Sequence, residues 1–320
     1  MITIFLNNET GDYWSFTISD SKKFHFELNI AGNSLEDVVD YKVVWSKNLI
    51  PYIILKNSHG ILSLYYWNNN HWKMKILHEL TEIKDYLVTT LQNECHIVAS
   101  QTNKYLHISF SDSSWKISVL PITPFSGSEI LSLHRTQSQK MLQLILLQNN
   151  NLIAWNYSLE NGKWSRGKLL VCLKRVFFTK ISLSHCNWHL IAAEKASDFV
   201  NLNYFLFKDD RIILHSPIVT SKTFPFERQP LLLKDKNQLG LFGTKNKRLI
   251  LFTSADKGHK WRGIVSKETP FLLRFDEVKY QNGEISPYIV LKRINDKELK
   301  PALPLHLNDL IEFSQGLPGL

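Results

Sequence analysis

Cysteine is scarce in this chain. Cys95, Cys172 and Cys186 stand far apart with no C-x-x-C pair, so neither a zinc pattern nor a disulfide framework can be drawn. Long apolar runs are also missing, and no stretch approaches the ~20 residues that cross a bilayer as a helix. The opening MITIFLNNETGDYW has no basic segment, long apolar stretch or small-residue cleavage site of a leader. These absences set the expectation of a soluble chain in a reducing, cytoplasmic setting. Also absent are a phosphate-cradling glycine loop, G-x-S-x-G and H-E-x-x-H, which removes the common signatures of phosphoryl, acyl and metal-dependent chemistry. No cofactor and no metal are expected. SHCNWH (184–189) places His185, Cys186 and His189 close together, but it reads as a plain turn between strands.

What is present points to strands. Among 320 residues the hydrophobic fraction is 44% and the charged fraction 21%, enough for a large core and too ordered a composition for general disorder. Aromatics reach 12% with nine Trp, in short Ile/Leu/Val/Tyr runs that suit a pleated surface. The formal net charge is +9, which favours anionic partners. The basic residues are scattered, with the densest groups at 163–168 and 245–248. Solvated loops are the preferred reading over a nucleic-acid footprint.

A repeat organises these runs. Residues 51–77, 94–120, 141–170 and 238–265 each show strand, polar turn, strand, polar turn, then a strand opened by Trp72, Trp115, Trp164 or Trp261. Residues 188–218 keep the order with Arg211 in the tryptophan's place. One further apolar run precedes each unit (DYKVVWS, DYLVTTL, EILSLHR, FFTKISLS and RQPLLLKD). Four strands in a period of roughly 40–50 residues are the signature of propeller blades. The chain opens with third- and fourth-strand runs, MITIFL and WSFTIS, and ends with first- and second-strand runs, PFLLRFDEVKY and SPYIVLKRI. Joined, they would make one blade and remove two open edges. The expected fold is an all-β, six-bladed β-propeller over 1–294, its closing blade shared by both termini. Residues 295–320 are expected to be a linker with a short helix, a candidate for association.

The turn SADKGHKW (254–261) carries Ser254, Asp256, Gly258 and Trp261 at S-x-D-x-G-x-x-W. NNETGDYW repeats the offsets with Asn7, Glu9, Gly11 and Trp14, and YSLENGKW holds a shortened form with Glu160, Gly162 and Trp164. This motif resembles the Asp-box, or BNR repeat, of sialidase-like propellers. The resemblance implies a hairpin between a blade's third and fourth strands, with the tryptophan packed between blades. Physically, Asp256 can hold the turn through backbone N–H groups, Ser254 can add a hydroxyl bond, and Gly258 permits positive φ. With one carboxylate the loop lacks a calcium site's ligand set, so these eight residues are expected to be structural.

Enzymes of that superfamily also carry an Arg-Ile-Pro segment, three arginines gripping a carboxylate, an Asp acid/base and a Tyr–Glu pair. No Arg-Ile-Pro occurs here. Arg135, Arg228 and Arg274 fall in first-strand regions of different repeats, leaving a bidentate cluster open as an alternative. The turns between second and third strands are amide- and lysine-rich and include Lys104, Lys247 and Arg248. They form a candidate ligand face. The preferred reading is a non-catalytic binding or scaffolding module for a protein or a polar, anionic polymer, with nucleic acid disfavoured. The alternative is a diverged glycosidase acting on acidic sugars.

Overall fold

The computed structural model describes residues 2–6, 13–17, 38–46, 51–68, 71–77, 80–111, 114–124, 127–136, 141–184, 187–208, 210–227, 230–235, 238–246, 248–268, 271–279, 285–293 and 300–301. Among them every regular element is a strand, and no helix is long and apolar enough to cross a membrane. The chain divides into two compact units, 1–169 and 170–320.

The first unit begins with the hairpin β1 (Ile2–Leu6) and β2 (Tyr13–Thr17). Three antiparallel meanders follow, each pairing in chain order. The first contains β3 (Val38–Trp45), β4 (Pro51–Asn57), β5 (Leu62–Asn68) and β6 (His71–Ile76). The second contains β7 (Asp85–Leu91), β8 (Glu94–Ser100), β9 (Tyr105–Ser111) and β10 (Ser114–Val119). The third contains β11 (Glu129–Arg135), β12 (Met141–Gln148), β13 (Asn151–Ser158) and the short β14 (Lys163–Trp164), and β15 (Lys168–Cys172) also pairs with β13. First strands neighbour first strands, with β7 beside both β3 and β11.

Burial follows strand position. β8 and β12 are buried along nearly their whole length, whereas β10 alternates and is mostly exposed. A second strand has strands on either side and sheets on either face, so it reads as a continuous apolar run, while an outer strand alternates. Ile54 and Leu64 of one sheet pack with Ile97, Ile108 and Phe110 of the next. Val98 and Tyr105 pack in turn with Leu142, Leu144 and Leu146. Burying each such side chain contributes about 1.5–3 kcal/mol, so the sheet-to-sheet interfaces form the core.

The second unit repeats the plan. β16 (Val176–Ser184), β17 (Asn187–Ala196), β18 (Phe199–Lys208) and β19 (Arg211–Ser221) form one sheet. β20 (Leu231–Asp235), β21 (Gln238–Lys245), β22 (Arg248–Ser254) and β23 (Arg262–Glu268) form the next. Ile191, Leu202 and Tyr204 pack with Leu239, Leu241 and Phe252 between them. β24 (Phe271–Lys279), β25 (Ile285–Arg293) and β26 (Lys300–Pro301) complete the unit.

At the ends of the chain β1 pairs with β2 in the first unit, and β24 with β25 in the second. Lys300 and Pro301, read from sequence as linker, pair with Leu291 and Val290 of β25. The helix expected over 305–317 lies outside the described residues. SHCNWH is also corrected: Asn187, Trp188 and His189 are strand residues of β17, with Trp188 and His189 buried. The next four residues, Leu190, Ile191, Ala192 and Ala193, are all apolar and continue the strand, so the turn ends sooner than its polar composition indicated.

Candidate functional site

The turn from Ser254 to Trp261 joins β22 to β23, the third and fourth strands of their sheet. Ser254 is 1% exposed. Its Oγ donates to Asp256 Oδ1 at 2.7 Å and accepts from Gly258 N at 2.8 Å. Asp256 Oδ1 also accepts from Lys260 N at 2.9 Å. These two donors hold the carboxyl below the usual carboxylate range, the Lys260 N–H most strongly. Gly258 has φ +99°, and an added Cβ would stand 2.3 Å from Tyr204 Cε1. Only glycine fits there, on both backbone and steric grounds.

The turn is docked on the preceding sheet. Gly258 O accepts from Ser216 Oγ of β19 and, at 3.1 Å, from Trp261 Nε1. The indole N–H also reaches Ser216 Oγ at 3.3 Å. The Trp261 ring meets Tyr204 of β18 edge-on, with centroids 5.4 Å apart at 62°. Tyr204 OH is hydrogen-bonded to His189 Nδ1 at 2.7 Å. Burial drives the His189 imidazole down to about 4, aided by the charge of Lys234.

A second junction of the same design lies in the first unit. His96 Nδ1 and His107 Nε2 are 3.1 Å apart, one donating to the other. His96 and His189 each occupy the third position of a second strand, and their partners lie opposite the residue two places on, His107 opposite Val98 and Tyr204 opposite Ile191. Trp164 meets His107 edge-on at 5.3 Å and 85°, and Tyr157 stands 4.5 Å from the same imidazole. Burial, followed by the charge of His107, lowers His96 to about 3, and burial lowers His107 to about 4. His96 Nε2 lies 3.5 Å from Glu94 Oε2 yet makes no hydrogen bond among the described residues. A buried neutral imidazole makes no ion pair, so that contact is proximity alone.

The histidines and the buried tyrosine escaped the sequence reading. Their pairing spans 11 residues in one case and 15 in the other, so only strand register reveals it. The recurrence of His at the third position of a second strand was the available signal. Nothing in these junctions resembles a nucleophile and base facing solvent. Among the described residues no group of three or more His, Cys, Asp or Glu could hold a metal.

The remaining sequence candidates are dispersed. Arg135 is exposed at the last position of β11, opposite Leu142, the end where first strands turn into second strands. Lys104 lies in the β8–β9 turn, where its carbonyl accepts from Gln101 N at 2.9 Å. Arg248 opens β22 opposite Lys245. Both therefore sit at the other end of their sheets from the one Arg135 occupies in its own. Arg274 is paired with Val290 in β24, with only its backbone described. Arg228 and Lys247 lie outside the described residues, as do Asn7, Glu9 and Gly11. Trp14 lies opposite Phe5 in the β1–β2 hairpin, again with backbone alone described.

No protein-family model and no curated protein sequence matches the chain. Solved structures do resemble it. AofleA from Arthrobotrys oligospora has 9% identity, covers 83% of this chain and 86% of its own, and has a TM-score of 0.51. The β-propeller domain of the Trilobed protease from Pyrococcus furiosus has 10% identity, 81% coverage of each chain and a TM-score of 0.48. At such identities the likeness concerns fold alone. Successive four-stranded meanders with adjacent first strands are the β-propeller arrangement. The chain is all-β and of the β-propeller type.

Proposed function

We propose that the chain is a non-catalytic binding or scaffolding propeller with Asp-box turns. Its second-to-third-strand face would engage a protein or a polar, anionic polymer. The observation that carries this reading is the occupation of the Ser254–Trp261 turn. Ser254 Oγ, Asp256 Oδ1, Gly258 N and O, and Trp261 Nε1 are all bonded within the turn or to Ser216, which leaves its most motif-like groups in a structural role. A cytoplasmic location suits the free thiols of buried Cys95 and exposed Cys172.

The proposal includes six blades, the last closed by β1–β2 alongside β24–β25. β26 occupies two residues of the β25 edge that β1 would take, so closure would displace it. Two measurements test the whole reading. Aryl glycosides of acidic sugars should not be turned over, and turnover abolished by Arg135→Ala would install the glycosidase reading instead. Deleting residues 1–17 should lower Tm by several degrees by opening an edge, and an unchanged Tm would remove the closing blade.

A further inference from the structure

The second unit carries an aromatic ladder that runs from its core to the surface. Buried Phe252 meets buried Phe226 at 5.9 Å and 83°, and Phe226 meets Phe224 at 5.7 Å and 73°. Phe224 then meets Phe178 at 5.0 Å and Phe177 at 5.7 Å and 79°. The ladder has room because position 243 is glycine, where a Cβ would lie 2.6 Å from Phe226 Cδ1. Phe177 is 51% exposed. It is the extra residue of a β-bulge, between the pairs Val176–Glu194 and Phe178–Ala193, and a bulge re-aims the side chain it carries. A second phenyl ring at the same end of this sheet, Phe199 at the β17–β18 tip, is 46% exposed.

Cations surround this end. Lys174, Arg175, Lys195 and Lys222 are all exposed there. Lys245 Nζ is fixed beside the ladder by Thr223 Oγ1 at 2.7 Å and Phe224 O at 2.6 Å, using two of its three N–H donors. The acids are largely committed. Glu194 accepts from Lys174 N at 2.5 Å and Asn203 Nδ2 at 2.6 Å, and Glu227 accepts from Asn246 N at 2.6 Å. Asp198 is exposed at the β17–β18 tip. The positive excess remains.

We propose that this end of the β16–β19 sheet, centred on Phe177, docks an acidic peptide segment carrying one large apolar anchor residue. It deepens the binding-module reading and rests on it. A phenyl ring has no polar handle, so it selects apolar side-chain surface. Backing by a packed ladder holds it ready at little entropic cost, as hot-spot anchors are held. The excess of cationic groups at this end complements carboxylates flanking that anchor. The apolar anchor at the centre of the site favours a peptide side chain over a nucleic-acid strand, whose affinity rests on phosphate contacts.

The test is selection of a random dodecapeptide display library on the whole chain, with the affinity of enriched peptides measured by fluorescence anisotropy. Enriched peptides should place Asp or Glu around Leu, Phe or Trp. Their affinity should fall about tenfold with Phe177→Ser and with Lys174→Glu/Lys195→Glu, the scale of one hot-spot residue, and weaken with salt. Thermal melting of both variants should match the parent chain, and if Phe177→Ser melts early the charge-reversal variant decides. Enrichment without acidic residues, or binding unaffected in the deciding variants, overturns the site while leaving a binding module standing. A thymidine dodecamer held more tightly than every peptide, and lost in the same variants, overturns the peptide assignment. No enrichment over an unrelated propeller overturns the peptide site and leaves the module reading to its own tests.

Discussion

The two tryptophan junctions invite comparison because they share a design and differ in completeness. Trp261 rests on Tyr204 and Trp164 on His107, each edge-on at nearly the same centroid distance. In the second unit the indole N–H is satisfied by Gly258 O and Ser216 Oγ. In the first, Trp164 Nε1 is buried without a hydrogen bond among the described residues. In the shortened turn Ser158 stands four residues before Gly162, as Ser254 does before Gly258, but its carbonyl takes the place of the hydroxyl: Gly162 N donates to Ser158 O at 2.9 Å, and Lys163 N donates to Asn161 Oδ1 at 3.0 Å. Aromatic packing fixes the tryptophan in both places, and only the full motif also supplies a carbonyl where the indole N–H needs one. A buried donor left unpaired costs about 1–3 kcal/mol, so the eroded junction is the weaker fastening.

Acid should separate the two junctions most. His96, His107 and His189 have folded-state values of about 3, 4 and 4, below the ordinary 6.5. The unfolded chain takes up these protons first, so stability is intact above about pH 7 and lost as pH falls from 6.5 towards 4. Each histidine contributes about 3 kcal/mol to that loss, with His96 and His107 not additive. Urea midpoints at neutral pH and near pH 4.5 will measure it. His107→Tyr, which gives the first junction the second's aromatic, should shrink the drop. An unchanged drop would show that burial of the pair does not govern acid stability.

The glycines come next. Gly258→Ala drives a Cβ into Tyr204 at positive φ and should cost about 3 kcal/mol or more in denaturant unfolding. Gly162 has φ +65° with Tyr157 OH 3.8 Å from an added Cβ, so Gly162→Ala should cost about 1 kcal/mol from backbone conformation alone. Equal costs would mean that the Tyr204 contact is relaxed by small shifts.

The smallest effect sharpens the comparison most directly. Trp261→Phe loses the bonds to Gly258 O and Ser216 Oγ and should destabilise by about 1–2 kcal/mol. Trp164→Phe removes an unpaired buried donor, and its gain should offset most of the lost ring area. A larger loss at Trp164 than at Trp261 would reverse the ranking of the junctions.

Much of this is legible in the sequence. The runs beginning DYLVTTL, ECHIVAS and KYLHISF became β7, β8 and β9 because short apolar runs between polar turns leave the chain few other options. Ser254, Asp256 and Gly258 could be assigned a turn because an Asx-type cap and a positive-φ glycine act within a few residues. SHCNWH misled for the same reason: local polarity suggested a turn, while its last three residues were drawn into β17 by pairing with β16 and β18.

The sequence by itself determined the order of strands, the repeat and the places of the marker tryptophans. Those depend on side-chain alternation and turn chemistry, which are local. Only the tertiary structure decided that His96 meets His107, that His189 meets Tyr204, that Trp164 Nε1 finds no partner among the described residues and that Phe177 is turned outward on a bulge. Each is set by register between strands or by packing of one sheet on the next, and such contacts join residues whose own neighbours carry no mark of the pairing.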